Sequence, residues 1–215
     1  MRILFVVQRY GTNIAGGSEQ CCRLFAEHLS SAGHQVEVAT SCAKNYTDWS
    51  NEFQAGSERI NDVLVHRFPV DRKRDGQRFS GIDAAVVWGT HPVPLSAQEL
   101  WVNEMGPRTT GLPKWLASDS SNYDIVIFFT YLYYTTIRGL PAVAGRTPTL
   151  FQPTAHLEPH LLVPIFDRLF RLPDGIAFLT VEEASLVNQR FGHSAVEEVI
   201  GVGTDLSLSG DGNRF

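Results

Sequence analysis

A short apolar run, a glycine-bearing loop and an amphipathic helix open this chain in that order. Few architectures accommodate them. Residues 3–8 read Ile-Leu-Phe-Val-Val-Gln. A continuous apolar run of this length fits a strand buried on both faces, as in a parallel sheet. Residues 9–17 follow and hold Gly11, Gly16 and Gly17. Across residues 18–32, Cys22, Phe25, Leu29 and Ala32 fall three or four apart and make one helical stripe. Gly33 can take the left-handed conformation that ends a helix. Residues 34–40 supply a second strand through Val36 and Val38. Parallel strands need such a crossover.

The loop carries the first chemistry. Glycines let a ligand approach the backbone closely. The helix N-terminus behind Gly16 and Gly17 offers unpaired N–H groups and partial positive charge, a seat for phosphate or a sugar hydroxyl. The same two glycines would equally serve a tight turn. A dinucleotide fingerprint is excluded by spacing, and Thr40-Ser41 occupy the place of its acidic residue. No P-loop Gly-Lys-Ser/Thr and no Gly-x-Ser-x-Gly nucleophile elbow occurs.

Beyond residue 40 the alternation continues. Strands are expected at 63–68, 124–129, 149–152, 176–180 and 196–200, about seven in all, with Val86-Val87-Trp88 as a small extra one. Residues 45–60 read as a loop with a short helix around Trp49 and Phe53. Ser96 to Glu99 has capping-box spacing, and the helix it opens should stop at Gly106-Pro107. Residues 112–117 should add a helical turn. Helices are expected over 161–170 and 182–191, the latter closing at Gly192. This pattern predicts an α/β fold: a Rossmann-like, doubly wound, mainly parallel sheet with helices on both faces.

At 215 residues the chain is long enough for one well-buried domain. Its net charge of −5 argues against a general nucleic-acid binder. No apolar run reaches the length of a membrane span, and no signal peptide precedes the first strand. Three cysteines make a poor disulfide framework. Cys21 and Cys22 fit as small apolar packing residues, and a reducing cytoplasm is the expected compartment. Arg72, Lys73, Arg74 and Arg78 form a basic cluster, read either as a solvated loop or as a patch facing anionic lipid or acceptor.

Candidate site residues lie at strand ends. Thr130 and Tyr131 follow a buried strand, where hydroxyls line the ligand crevice of parallel sheets. They could instead be core with wet tips. His156-x-Glu158-Pro159-His160 follows the next strand. It does not match a zinc-binding His-Glu-x-x-His helix, and Pro159 disrupts one. His156 and Glu158 suit hydrogen bonds to sugar hydroxyls or orientation of charge near a leaving phosphate. The plainer role is capping of the following helix. Glu182 and Glu183 open a helix, stabilising its dipole or reaching acceptor hydroxyls. His91, near Pro92 and Pro94, reads as structural.

Five collinear segments resemble family four glycosyltransferases of the GT-B fold. Gly16-Gly17-Ser18-Glu19 with Gly33-His34-Gln35-Val36-Glu37-Val38 is similar to their opening. Trp101 to Pro107, Phe128 to Thr136, and Pro153 to Glu183 with His156-x-Glu158-Pro159 resemble one bacterial branch. Val199 to Asp205 resembles the segment closing the family's N-terminal domain. The resemblance implies a GT-B N-terminal domain over 1–205 and the start of an interdomain linker at 206–215, without the C-terminal donor-binding domain. It implies a retaining enzyme whose full-length form moves a sugar from a nucleotide sugar to a glycan or lipid-linked acceptor. It requires no metal, no cofactor beyond the donor as co-substrate, and no protein nucleophile. On this reading His156 is catalytic, and Gly16, Gly17, Thr130, Tyr131, Glu158 and Glu182 bind substrate. The protein would be cytoplasmic, with the inner face of the membrane as a peripheral contact. Two departures stand out. Leu157 replaces the branch's aspartate. The family's Glu-x7-Glu should fall beyond residue 215, since Glu19 and Glu27 share that spacing only by position on the first helix. The competing reading is a stand-alone Rossmann-like module that binds a nucleotide or sugar without turnover. An NAD-dependent enzyme is the third reading, weakened by the missing fingerprint.

Overall fold

Strand β1 (Arg2–Val6) leads through the glycine loop into helix α1 (Gly17–Ser31), and β2 (Gln35–Ser41) returns parallel to β1 with Phe5 beside Val38. The computed structural model describes residues 1–89 and 92–203. His91, Thr204, Asp205 and the linker expected at 206–215 lie outside the described residues. Along β1, Ile3 and Phe5 face Cys22 and Ala26 of α1, whereas Leu4 and Val6 face the opposite layer. The strand is thus buried on both sides, as its unbroken apolar run requires.

The segment read as a loop with a short helix instead ends in a strand, β3 (Gly56–Ile60), antiparallel to β4 (Val63–Phe68). Asn61 and Asp62 join them, both at positive φ. That is the two-residue hairpin geometry whose twist matches the strands, and Asn and Asp tolerate it. Before it, Trp49 is buried, donates to the Met105 carbonyl at 2.6 Å and lies edge-on to Tyr133. Gly106 permits this: its φ is +72°, and a Cβ there would meet the indole at 2.8 Å.

Val86-Val87-Trp88 is not a strand. Helix α2 (Gly76–Val87) ends there, started by Asp75, whose carboxylate accepts from the Arg78 N–H at 3.0 Å. Helix α3 (Leu95–Met105) begins one residue before the expected capping box and stops at Gly106, as expected. Helix α4 (Gly111–Asp119) precedes β5 (Ile125–Phe129), and α5 (Tyr134–Val143) precedes β6 (Thr149–Gln152). A 3₁₀ turn (Pro159–Leu162) and the short α6 (Ile165–Leu169) replace the single helix expected over 161–170. Strand β7 (Gly175–Phe178), α7 (Val181–Phe191) and the edge strand β8 (Val196–Val199) complete the described chain.

The sheet order is β3-β4-β2-β1-β5-β6-β7-β8, parallel except for β3. This is the expected Rossmann-like α/β sheet with one strand more than the seven anticipated. One layer, carrying α1, covers Val36, Val38, Val63 and Val65. The other packs Trp101, Leu112, Leu140, Phe166 and Phe191 over Phe128, Phe151 and Phe178. Connections leave β1 in one direction towards β2 and resume at β5 on its other side. A crevice opens where such a sheet reverses its strand order, outside the carboxyl ends.

Candidate functional site

A cleft of about 530 Å³ sits at that reversal. Its walls come from the start of α1 (Gly17, Ser18, Cys21), the β5 loop (Thr130 to Tyr133) and the β6 loop (Thr154, His156, Glu158). Every wall therefore follows a parallel strand, which is why residues far apart in sequence converge.

Gly16 and Gly17 divide their labour. A Cβ on Gly16 would run into the Glu19 carboxylate and lie 3.2 Å from Arg9. Arg9 and Glu19 form a buried pair, with Arg9 Nε and Nη2 donating to Glu19 Oε1 at 2.8 and 2.6 Å. Gly16 is thus required by the packing of this pair and does not line the cleft. Gly17 does line it, a Cβ there meets nothing within 4 Å, and its backbone is not left-handed. Positive φ is therefore no part of the reason for Gly17. Gly16→Ala is expected to cost about 1–3 kcal/mol, the range for an overpacked interior, while Gly17→Val should unfold within about 0.5 kcal/mol of wild type, as exposed substitutions do. Equal losses in urea titrations would refute this division.

Thr130 is strained and unpartnered. Its φ is +58°, rare for a β-branched residue, and its buried Oγ1 has no hydrogen-bond partner. Thr154, at the neighbouring strand end, also has positive φ, 52°. Strain of this kind costs on the order of 1–3 kcal/mol per residue and concentrates at functional sites. Tyr131 combines both readings left open by the sequence. Its ring packs edge-on to Phe166 at 4.8 Å, and its hydroxyl donates to Glu158 Oε1. Burial and the adjacent Glu158 push that phenol well above its usual range.

Glu158 also lies 3.7 Å from His160 Nδ1, and His160 Nε2 lies 3.2 Å from Asp83 Oδ1. Trp101 stacks on the imidazole at 6.1 Å and donates its indole N–H to the same Asp83 oxygen at 2.8 Å. His160 and the Tyr131 hydroxyl hold the Glu158 carboxyl below its ordinary 4.5. In return, Glu158 and then Asp83 raise His160 above its ordinary 6.5. The folded state therefore binds the His160 proton more tightly than the unfolded chain does. That stabilisation is complete below about pH 6.5 and is lost as pH rises through the raised value. The Glu158 contribution has the opposite sign: it is present above pH 4.5 and lost as pH falls through its lowered value. An NMR titration should place the His160 midpoint above 6.5, moving down in Asp83→Asn. A wild-type midpoint at or below 6.5 would contradict the arrangement.

His156 is exposed at the carboxyl edge, between the cleft and a second groove of about 630 Å³ lined by Leu157, Glu182 and Leu186 among others. Glu182 faces that groove, so the structure does not bring it together with Gly17 and Thr130. Its neighbour Glu183 turns inward instead. Glu183 Oε1 accepts from the Ala155 N–H at 2.6 Å and Oε2 from the Leu179 N–H at 2.8 Å. Burial raises the Glu183 pKa. This carboxylate fixes the β6 loop to the end of β7 and so positions His156. Thr180-x-x-Glu183 has capping-box spacing, a signal that could have found it.

The basic cluster is matched within the chain. Arg72 and Arg78 both reach the buried Glu104, Lys73 lies 3.8 Å from Asp48, and Arg74 donates to the carbonyls of Tyr46, Thr47 and Met105. This favours the solvated-loop reading over a patch that awaits an anionic surface. Among the described residues, no group of three or more His, Cys, Asp or Glu could hold a metal, and no helix is long and apolar enough to cross a membrane.

No protein-family model matches the chain, and no curated protein matches it significantly. Solved structures do. HepE of Anabaena, solved in complex with UDP and glucose, superposes with a TM-score of 0.57 at 15% identity, over 95% of this chain and 45% of its own. Sucrose-phosphate synthase of Thermosynechococcus elongatus gives 0.57 at 14%, over 95% and 48%. The trehalose-6-phosphate synthase OtsA gives 0.56 at 14%, over 95% and 50%. These neighbours are GT-B glycosyltransferases, and the likeness establishes the fold. The chain spans about half the length of each.

Proposed function

We propose that this chain is the acceptor-side half of a retaining glycosyltransferase of family four type. The full-length protein would move a sugar from a nucleotide sugar to a glycan or lipid-linked acceptor. The observation that carries the reading is the cleft itself. At the switch point of a fold shared with sugar-transferring synthases, it gathers the start of α1, the orphan Thr130 hydroxyl, Glu158 and the exposed His156. The UDP and glucose named with HepE support a nucleotide-sugar donor here.

In such a reaction the bond from the anomeric carbon to the phosphate oxygen breaks, a bond to the acceptor oxygen forms on the same face, and the acceptor hydroxyl's proton leaves with the departing diphosphate. Catalysis then rests on positioning and on stabilising the departing diphosphate. On this reading residues 1–205 are one domain, Glu158 and Thr130 hold acceptor hydroxyls, and His156 stands where donor and acceptor meet. The donor-holding groups belong to a second half that 206–215 would lead into.

The test is a transfer assay with a panel of nucleotide sugars, run on residues 1–215 alone and on a protein that carries the downstream half. Turnover with retained anomeric configuration is expected only from the longer protein. Comparable turnover by the short chain would refute the half-enzyme reading. Binding without turnover by either would favour the stand-alone module.

A further inference from the structure

We propose that the acceptor seat of this cleft selects neutral or amino-bearing sugars and rejects acceptors that carry a phosphate or carboxylate at the bound face. The inference rests on the glycosyltransferase reading and adds the substrate class, with Glu158 as the residue that sets it.

Glu158 is the carboxylate among the lining groups, and the others that can hydrogen-bond include the uncharged Ser18, Thr130, Tyr131, Tyr133 and Thr154 together with His156. Arginine and lysine are the usual side-chain partners of phosphate and carboxylate. No arginine or lysine is among the described residues that line the cleft. Among the described residues, Arg9 and Arg74 near Tyr133 are committed elsewhere. Arg9 is 7% exposed, and its donors go to Glu19 and to the carbonyls of Lys44 and Ala15. Arg74 serves three backbone carbonyls.

The start of α1 does not reverse this balance. Glu19 in its first turn is paired with Arg9, so the two add no net charge there, and Ser18 Oγ is already engaged in donating to Glu19 at 2.9 Å. Nor is Glu158 free to withdraw. The Tyr131 hydroxyl donates to it and His160 lies 3.7 Å away, and both favour its ionised form. A fixed carboxylate accepts hydrogen bonds from sugar hydroxyls or an ammonium and repels an anion.

The experiment uses the ¹⁵N-labelled 215-residue chain. The methyl glycosides of glucose, galactose and mannose, the corresponding 6-phosphates, and glucosamine are titrated while the amides of Gly17, Ser18, Thr130 and Thr154 are followed. At least one neutral glycoside should shift these amides, with its 6-phosphate at least tenfold weaker and glucosamine no weaker than the neutral sugar. Glu158→Gln keeps an acceptor for the Tyr131 hydroxyl and should close the gap to within threefold. Raising the salt concentration should narrow the gap in wild type. A 6-phosphate that binds at these amides as tightly as its neutral glycoside would overturn the selectivity while leaving a sugar site intact. So would a gap unchanged by both Glu158→Gln and salt. If none of the sugars moves these amides, the sugar-binding reading of the cleft falls too.

Discussion

Glu19→Ala is expected to lower the unfolding temperature by roughly 6–20 °C. Arg9 and Glu19 are 7% and 6% exposed, so removal of the carboxylate leaves a guanidinium buried without its counter-ion. Breaking such a pair costs about 3–5 kcal/mol, and each kcal/mol moves the midpoint of a chain this size by roughly 2–4 °C. The location adds to the effect. Arg9 follows β1, Glu19 opens α1, and Arg9 also donates to the carbonyls of Ala15 and Lys44. One guanidinium thus ties the loop before α1 to the segment after β2. Arg9→Met with Glu19→Leu should recover much of the loss, because two apolar groups leave no charge unmatched. Calorimetry of the three variants decides the matter, and a Glu19→Ala midpoint within 2 °C of wild type would show that the pair contributes little.

The sequence reveals the sheet far better than it reveals this pair. Residues 3–8 and the Cys22-Phe25-Leu29 stripe are legible because burial on one or two faces imposes a period on the residues themselves. Arg9 and Glu19 are ten positions apart with no period to join them, and only the crossover brings them together. Strand β3 escaped for the opposite reason. Its residues, Gly-Ser-Glu-Arg-Ile, are largely exposed at a sheet edge, so no apolar alternation marks them. The turn at Asn61-Asp62 is the better signal, since both residues tolerate the left-handed region. Val86-Val87-Trp88 misleads because a three-residue apolar run fits a strand or a helix end equally. Phe79, Ile82 and Val86, three and four apart behind the Asp75 cap, settle it.

At the site, the same contrast holds. Which strand ends carry chemistry follows from topology once the alternation is recognised, and Gly17, Thr130, Tyr131, His156 and Glu158 all reach the cleft. Which of two adjacent carboxylates points outward does not follow from composition. Glu182 and Glu183 both open α7, and helix phase sends one to solvent and one to the Ala155 and Leu179 N–H groups. The His160–Asp83 contact spans 77 positions and joins α2 to the β6 loop. No local pattern announces it.

His156→Ala is expected to lower transfer by the two-half protein about ten- to a thousandfold, the range for a lost polar contact to a transition state. The side chain is exposed, its loop is held by Glu183 rather than by the imidazole, and none of the described side chains covers it from the cleft side. Loss of the ring should therefore leave the unfolding temperature within about 2 °C of wild type, as exposed substitutions do. The split between kcat and KM carries the mechanistic content. A group that touches only the developing diphosphate charge lowers kcat and kcat/KM together, whereas one that merely holds the acceptor raises its KM at constant kcat. We expect the first pattern, because His156 stands at the outer edge of the cleft while Glu158 and Thr130 lie within it. His156→Gln separates the two chemistries further. It can donate a hydrogen bond but cannot carry a proton at neutral pH, so partial recovery would assign His156 to hydrogen bonding. Transfer by His156→Ala within twofold of wild type would remove His156 from the site.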